Sequence, residues 1–203
     1  GYLDRVGITP EEFYDELVRN PHHPKTSQPP PGDFRRQFEF LASHYPAVVS
    51  VNLTRKVSGT CASAESAAAR ISAHGKVTVL DSEHASLGYG LVAMYAAECA
   101  QAGYDSARVL EATRAMVPRT RTFGLIGSLE YSVRGGRVPR WVKNVADALG
   151  VMPVLHNRDG RVTAGGVLFG RRNLREKFAR YVERRMRSGC RYRLLVGHAN
   201  CEA

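Results

Sequence analysis

The sequence predicts an α/β protein: a parallel, doubly wound N-terminal sheet with helices on both faces, then a smaller α+β region. Three observations carry this. Strand-length apolar runs at residues 47–53, 76–81 and 122–126 are separated by helical periodicity. Their order, strand, helix, strand, helices, strand, is that of crossover units. Beyond about Arg119 the pattern changes to a hairpin and one more helix, which divides the chain into domains at 1–118 and 119–203.

Thr9-Pro10-Glu11-Glu12 opens the first helix with a hydroxyl N-cap, a proline at the first helical position and two acids. Phe13 and Leu17 are its apolar stripe. Residues 21–32 hold five prolines, so this connector is neither helix nor central strand. Phe34, Phe38, Leu41 and Tyr45, spaced four, three and four apart, mark the second helix. The strand at 47–53 leads through Ser58 into an alanine-rich helix. After the strand at 76–81, a helix over 87–102 carries Leu91, Tyr95 and Cys99 and stops at Gly103. Ser106 caps a further helix to about Met116, and 122–126 is a third strand. Arg134-Gly135-Gly136-Arg137 is a loop, and Val142, Val145 and Leu149 mark a helix stopped by Gly150. Residues 152–155 and 161–169 form a hairpin around Asp159-Gly160. A basic helix with Leu174, Phe178, Tyr181 and Val182 on its core face precedes a last strand at 192–196.

Composition narrows the class. With 43% hydrophobic and 24% charged residues, the chain reads as globular. No apolar run nears the roughly 20 residues of a membrane span. Gly1-Tyr2-Leu3-Asp4 lacks the basic start and apolar core of a signal peptide. The four cysteines, Cys61, Cys99, Cys190 and Cys201, are scattered. They argue against a metal site or a disulfide framework and favour the cytoplasm. Of the net charge of +10, residues 114–193 carry +14 and the remainder −4. A basic half suits an acidic partner or a phosphate-bearing ligand, or is simply a solvated face. Nucleic acid is the weaker fit, because aromatics are not interleaved with the cations and no helix-turn-helix or zinc spacing occurs.

Ser58-Gly59-Thr60 stands where a strand turns into a helix. The amides of a helix's first turn lack intrahelical partners, and its dipole favours an anion there. Two hydroxyls around a glycine suit such a site. A nucleophile reading of Ser58 is weaker, since Lys56-Val57-Ser58-Gly59 lacks the leading glycine of a nucleophile elbow. Lys25-Thr26-Ser27-Gln28-Pro29 is a second hydroxyl cluster, fixed by flanking prolines or merely a solvated turn. Arg137 lies in a glycine loop that permits close approach. His198 follows a strand end and draws interest only from its company.

Together these pieces resemble the DegV family over nearly the whole chain. The resemblance rests on Lys25-Thr26-Ser27-Gln28-Pro29 with Pro31-Gly32-Asp33-Phe34, on Val57-Ser58-Gly59-Thr60, and on Asp81-Ser82 with Ser86-Leu87-Gly88-Tyr89-Gly90. It continues through Leu129-Glu130-Tyr131, Gly135-Gly136-Arg137-Val138, Pro153-Val154-Leu155 and Asp159-Gly160 to Gly197-His198-Ala199. It implies a DegV-like protein that binds a long-chain fatty acid between two domains, uses no other cofactor or metal, and is not an enzyme. Thr26 and Ser58 would hydrogen-bond the carboxylate, helped by the Gly59 backbone. Ser27 and Thr60 would support them, and Arg137 and His198 would lie near the head group. A fatty acid kinase is the implied partner, with transient membrane-surface contact through the basic half. The family usually places two serines before Ser-Gly-Thr; here stand Thr54 and Arg55. Members also run longer at both ends, so this reads as a fragment lacking the opening strand and the helices and strands after His198, which leaves the completeness of an acyl tunnel open. The rival reading is a serine hydrolase or phosphotransferase using Ser58.

Overall fold

The computed structural model of the chain describes residues 1–3, 6–71 and 75–199. Strands β1 (Val48–Asn52) and β2 (Val77–Asp81) pair in parallel, from Val48 opposite Val77 to Asn52 opposite Asp81. Alternation along a strand sends successive side chains to opposite faces. Val77 and Val79 therefore meet one helix layer, α2 (Pro31–His44) and α3 (Thr60–Ala68), through Phe38, Ala42, Ala64, Ala67 and Ile71. Leu80, Val49 and Val51 meet the other layer, α4 (Ser86–Gln101) and α5 (Ser106–Met116), through Val92, Ala96, Cys99 and Val109. This is the helix-sheet-helix sandwich that the strand and helix order predicts.

The second sheet differs from a simple continuation. The expected third strand, β3 (Thr122–Leu125), does not extend the parallel pair. It joins β4 (Val151–Arg158) and β5 (Arg161–Phe169) in an antiparallel sheet of order β3-β4-β5. A central parallel strand is apolar on both faces, and Thr-Phe-Gly-Leu is not. The β4-β5 hairpin turns at Asp159 and Gly160, with φ of 49° and 75°. Two left-handed residues are what a tight two-residue hairpin needs, which explains Asp-Gly here.

Helix boundaries shift for local reasons. α1 (Pro10–Arg19) has a full capping box: Glu12 N–H donates to Thr9 Oγ1 at 3.2 Å, and Thr9 N–H donates to Glu12 Oε2 at 2.8 Å. α2 begins at Pro31, inside the stretch expected to be non-helical, because proline is tolerated at a first helical position. Asp105, not Ser106, caps α5, accepting from Arg108 N–H at 2.8 Å. A short helix, α6 (Glu130–Arg134), precedes the glycine loop, followed by α7 (Arg140–Ala148) and, after the hairpin, α8 (Leu174–Glu183). The strand expected at 192–196 has no ladder partner among the described residues. This segment lies instead along α4: Arg193 pairs with Glu98, Leu195 approaches Gly90, and Gly197 approaches Leu87. Residues 192–196 are exposed there.

The two sheets meet at a polar junction. His84, 5% exposed, points Nε2 at Val117 O (3.1 Å) and Nδ1 at Thr122 Oγ1 (3.3 Å) and Asn157 Nδ2 (3.1 Å). Val117 O can only accept, so Nε2 carries the proton and Nδ1 accepts from Asn157. Asn157 also donates to Glu83 O at 2.6 Å, and Thr54 Oγ1 donates to Gly160 O at 2.8 Å. α4 closes on β3 so tightly that a Cβ on Gly88 would collide with Thr122 Oγ1.

Two outcomes follow from this junction. Gly88→Ala is expected to destabilise by about 1–3 kcal/mol through overpacking, read as a lowered denaturation midpoint; an unchanged midpoint would show the contact to be slack. Burial holds His84 below the ordinary imidazole value, and burial lowers His156 as well. The unfolded chain takes up these protons near pH 6.5 while the folded chain resists. Stability is therefore complete above about pH 6.5 and declines as pH falls towards the folded-state values. Thermal unfolding between pH 5 and pH 8 should show this slope, and His84→Gln should flatten it in part.

Candidate functional site

The site grows from the carboxyl end of β1. Asn52 and Thr54 are buried, and Thr54 N–H donates to His84 O at 2.9 Å, which fixes the loop to the end of β2. The chain then turns back, with Val57 and Ser58 N–H groups on Thr54 O. Ser58 Oγ and Thr60 Oγ1 lie 2.8 Å apart, and Thr60 N–H donates to Ser58 Oγ at 3.3 Å. Gly59 is the N-cap of α3 and supplies no side chain to its amides. A half-buried hydroxyl pair thus sits at a helix start whose N-cap glycine offers no side chain and whose first amide is met by Ser58 Oγ, a place that favours negative charge.

The proline-rich connector is brought to this loop from one side. A Cβ on Gly59 would lie 2.9 Å from Gln28 Nε2, so the absence of a side chain lets Gln28 rest there. The connector's other end is held by the second half of the chain. Arg134 donates to Leu17 O at 2.8 Å and Asn20 O at 2.6 Å, and Gly135 packs on His23. Thr26 and Ser27 therefore lie on a strap between the Arg134–Arg137 loop and the Ser58–Thr60 loop. Both are exposed, and neither hydrogen-bonds the Ser58–Thr60 pair.

Arg137 is exposed beyond the glycine loop, its N–H on Ser132 O at 2.9 Å and its guanidinium without a partner among the described residues. His198 is exposed beside Gly197, at the first turn of α4. The structure brings Ser58, Gly59 and Thr60 together and ties the strap to them. It shows no contact between His198 and the hydroxyl pair among the described residues. Ser82, at the carboxyl end of β2, is fully buried, and its hydroxyl bonds both His84 N–H and His84 O.

Arg55 is the residue whose role the sequence concealed. Its Nε donates to Asp81 Oδ2 at 3.0 Å and its NH2 to Glu65 Oε1 at 2.7 Å. The Glu65 contact first, then Asp81, raises its pKa beyond the usual range. The cation is thereby consumed in joining β1, β2 and α3. Cys61, in the first turn of α3, is fully buried, and burial pushes its thiol pKa up despite the nearby Arg55. A helix start and a cation would otherwise favour the thiolate.

No group of three or more His, Cys, Asp or Glu among the described residues could hold a metal ion. The described cysteines, Cys61, Cys99 and Cys190, are free thiols, and Cys201 lies outside the described residues. Among the described residues, no helix is long and apolar enough to cross a membrane. A cavity of about 20 Å³ beside Ile126, Leu129 and Met152 holds one water at most. A second, of about 360 Å³, lies on α8. Neither reaches Ser58.

A parallel pair between helix layers, an antiparallel second sheet and a hydroxyl-lined helix start define a mixed α/β protein with an anion-suited junction. The chain belongs to the DegV family: the family model described as "Uncharacterised protein, DegV family" matches residues 1–203. A DegV domain-containing protein of Caldanaerobacter subterraneus subsp. tengcongensis is 35% identical over 161 residues, 79% of this chain and 57% of that protein. A fatty-acid-binding DegV family protein from Thermus thermophilus is 33% identical, with a TM-score of 0.76 over 90% of this chain and 65% of that one. A stearic-acid-binding protein from Eubacterium ventriosum is 26% identical, also at 0.76, over 90% and 64%. The chain thus spans between about half and two thirds of these relatives' lengths.

Arg55→Ala is expected to cost about 1 kcal/mol, since both bridges are partly solvent-screened, and to leave two carboxylates beside the helix start. A lowered melting temperature with weaker anion retention checks this; unchanged values for both would contradict the clamp.

Proposed function

We propose that this chain forms the head-group end of a long-chain fatty acid site and performs no catalysis of its own. The observation that carries this reading is the Ser58–Thr60 hydroxyl pair at the start of α3, with Gln28 laying the Thr26-Ser27 strap against Gly59. Thr26 and Ser58 hydrogen-bond the carboxylate, helped by the Gly59 N–H. Ser27 and Thr60 support them, and Arg137 and His198 lie near the head group, between domains 1–118 and 119–203. The fatty acid ligands of the Thermus and Eubacterium proteins support the ligand class.

The physical chemistry supports it too. Burying about 14 methylenes contributes on the order of 11 kcal/mol before association costs. The carboxylate then needs only enough donors to offset its desolvation. Serine nucleophiles need a base within about 2.6–3.2 Å. Ser58 Oγ instead faces Thr60 Oγ1, and no imidazole among the described residues bonds it. A fatty acid kinase is the proposed consumer of the presented acid. Unpaired thiols at Cys61, Cys99 and Cys190 support a cytoplasmic setting.

Native mass spectrometry of the purified protein is expected to show a bound fatty acid. Ser58→Ala should lower its retention roughly tenfold, the cost of one hydrogen bond to a charged group. An empty protein would overturn the fatty acid reading, and fluorophosphonate labelling that is lost in Ser58→Ala would favour the hydrolase reading instead.

A further inference from the structure

Strand β5 is an edge of its sheet among the described residues, and the structure shows which of its backbone groups face outward. Pro153 in β4 has no N–H, and its carbonyl accepts Ile126 N–H at 3.0 Å on the β3 side. The polar groups of one residue in a strand point the same way, so Pro153 makes no ladder bond to its opposite residue on β5, Val167. The N–H and C=O of Val167 therefore point out of the sheet. The register is regular from Val154 to Val151, so Phe169 faces outward as well. Its carbonyl is indeed taken from outside the sheet, by Lys177 Nζ at 2.7 Å.

Helix α8 stands beside this edge and is unusually basic. Residues 171–187 hold eight Arg or Lys and two Glu. Lys177, Arg180, Tyr181 and Arg184 share one helix face by their spacing. With Val167, Leu168 and Arg185 they line the cavity of about 360 Å³. Adjacent residues of a strand point to opposite faces, so a cavity touching both Val167 and Leu168 reaches round the strand's edge. Two of the cations are already committed. Lys177 holds Phe169 O and Gly170 O, and Arg185 lies 3.5 Å from the centre of the Tyr181 ring while donating to Tyr181 O. The guanidinium groups of Arg180 and Arg184 have no hydrogen-bond or ion-pair partner among the described residues.

We infer that β5 and α8 form a docking groove for an extended acidic segment of a partner protein, which adds as a strand at Val167 and sets its carboxylates on Arg180 and Arg184. Main-chain pairing supplies the fit and the cations select the charge. An isolated anion would use the two arginines and leave the strand edge unpaired. A neutral strand would leave the arginines unused. The groove is separate from Ser58, so this inference stands or falls independently of the fatty acid reading.

Fluorescence anisotropy with the purified chain and labelled nine-residue peptides tests it. A peptide of alternating Glu and Val should bind at least about tenfold more tightly than its Lys-Val counterpart, and more weakly as salt rises. N-methylation of alternate amides in the Glu-Val peptide, which removes strand donors without touching the protein, should weaken binding about tenfold or more. Arg180→Glu with Arg184→Glu should abolish the preference for the acidic peptide. Equal binding of the methylated and unmethylated peptides would reduce the groove to a nonspecific cation patch and overturn the proposal. A dimer in sedimentation that Val167→Pro dissociates would overturn it in favour of edge pairing between two copies. Absence of peptide binding would overturn it as well.

Discussion

The buried His84 imidazole is the contact on which the rest of this structure depends. Its ring joins the end of α5 at Val117, the first residue of β3 at Thr122 and the second sheet at Asn157. Its own carbonyl receives Thr54 N–H, the bond that starts the Ser58 loop. A single residue thus sets the spacing of the two sheets and the entry to the proposed head-group site. Burial favours the neutral ring that makes these bonds. A second ring proton on Nδ1 would break the Asn157 bond, donor against donor, and leave Thr122 Oγ1 at 3.3 Å as its acceptor.

Charge around the loop is arranged on the same principle of local satisfaction. Arg55 sits within reach of the helix start, yet Glu65 and Asp81 absorb its charge. The cation serves the shape of the loop, while hydroxyls and amides are left to face a ligand. The second half uses Arg134 in a comparable way. Its guanidinium holds two backbone carbonyls where α1 runs into the connector, so the strap carrying Thr26 and Ser27 is anchored by a residue more than a hundred positions away.

The sequence made the local features legible because they have local causes. The Thr9 capping box, the Asp159-Gly160 turn and the valine strands each state their structure within a few residues. Ser58-Gly59-Thr60 was readable for the same reason: strand, hydroxyl turn and helix are contiguous. Longer-range pairing was hidden. Nothing near residues 122–126 says that their partner is an antiparallel strand thirty positions on. Residues 192–196 have strand composition, yet a ladder needs a second strand, and none of the described residues pairs with them. Arg55 looked like an intrusion into a hydroxyl motif because its partners, Glu65 and Asp81, lie ten and twenty-six residues away. His84 carried no signal at all, since its importance comes entirely from elements that fold around it.

These placements give the molecule two different ways of meeting negative charge. At the start of α3, the proposed head-group site is built from hydroxyl and amide dipoles, and the Arg55 charge beside it is met by Glu65 and Asp81. Hydroxyl and amide donors hold an anion through short-range hydrogen bonds that salt screens weakly, and they leave no permanent countercharge to resist its release or further reaction. Along α8, unpaired guanidinium groups face solvent, where attraction is long-ranged and salt-sensitive. The first arrangement suits a small buried head group recognised by geometry. The second suits a large acidic surface gathered from solution and then fixed by strand pairing.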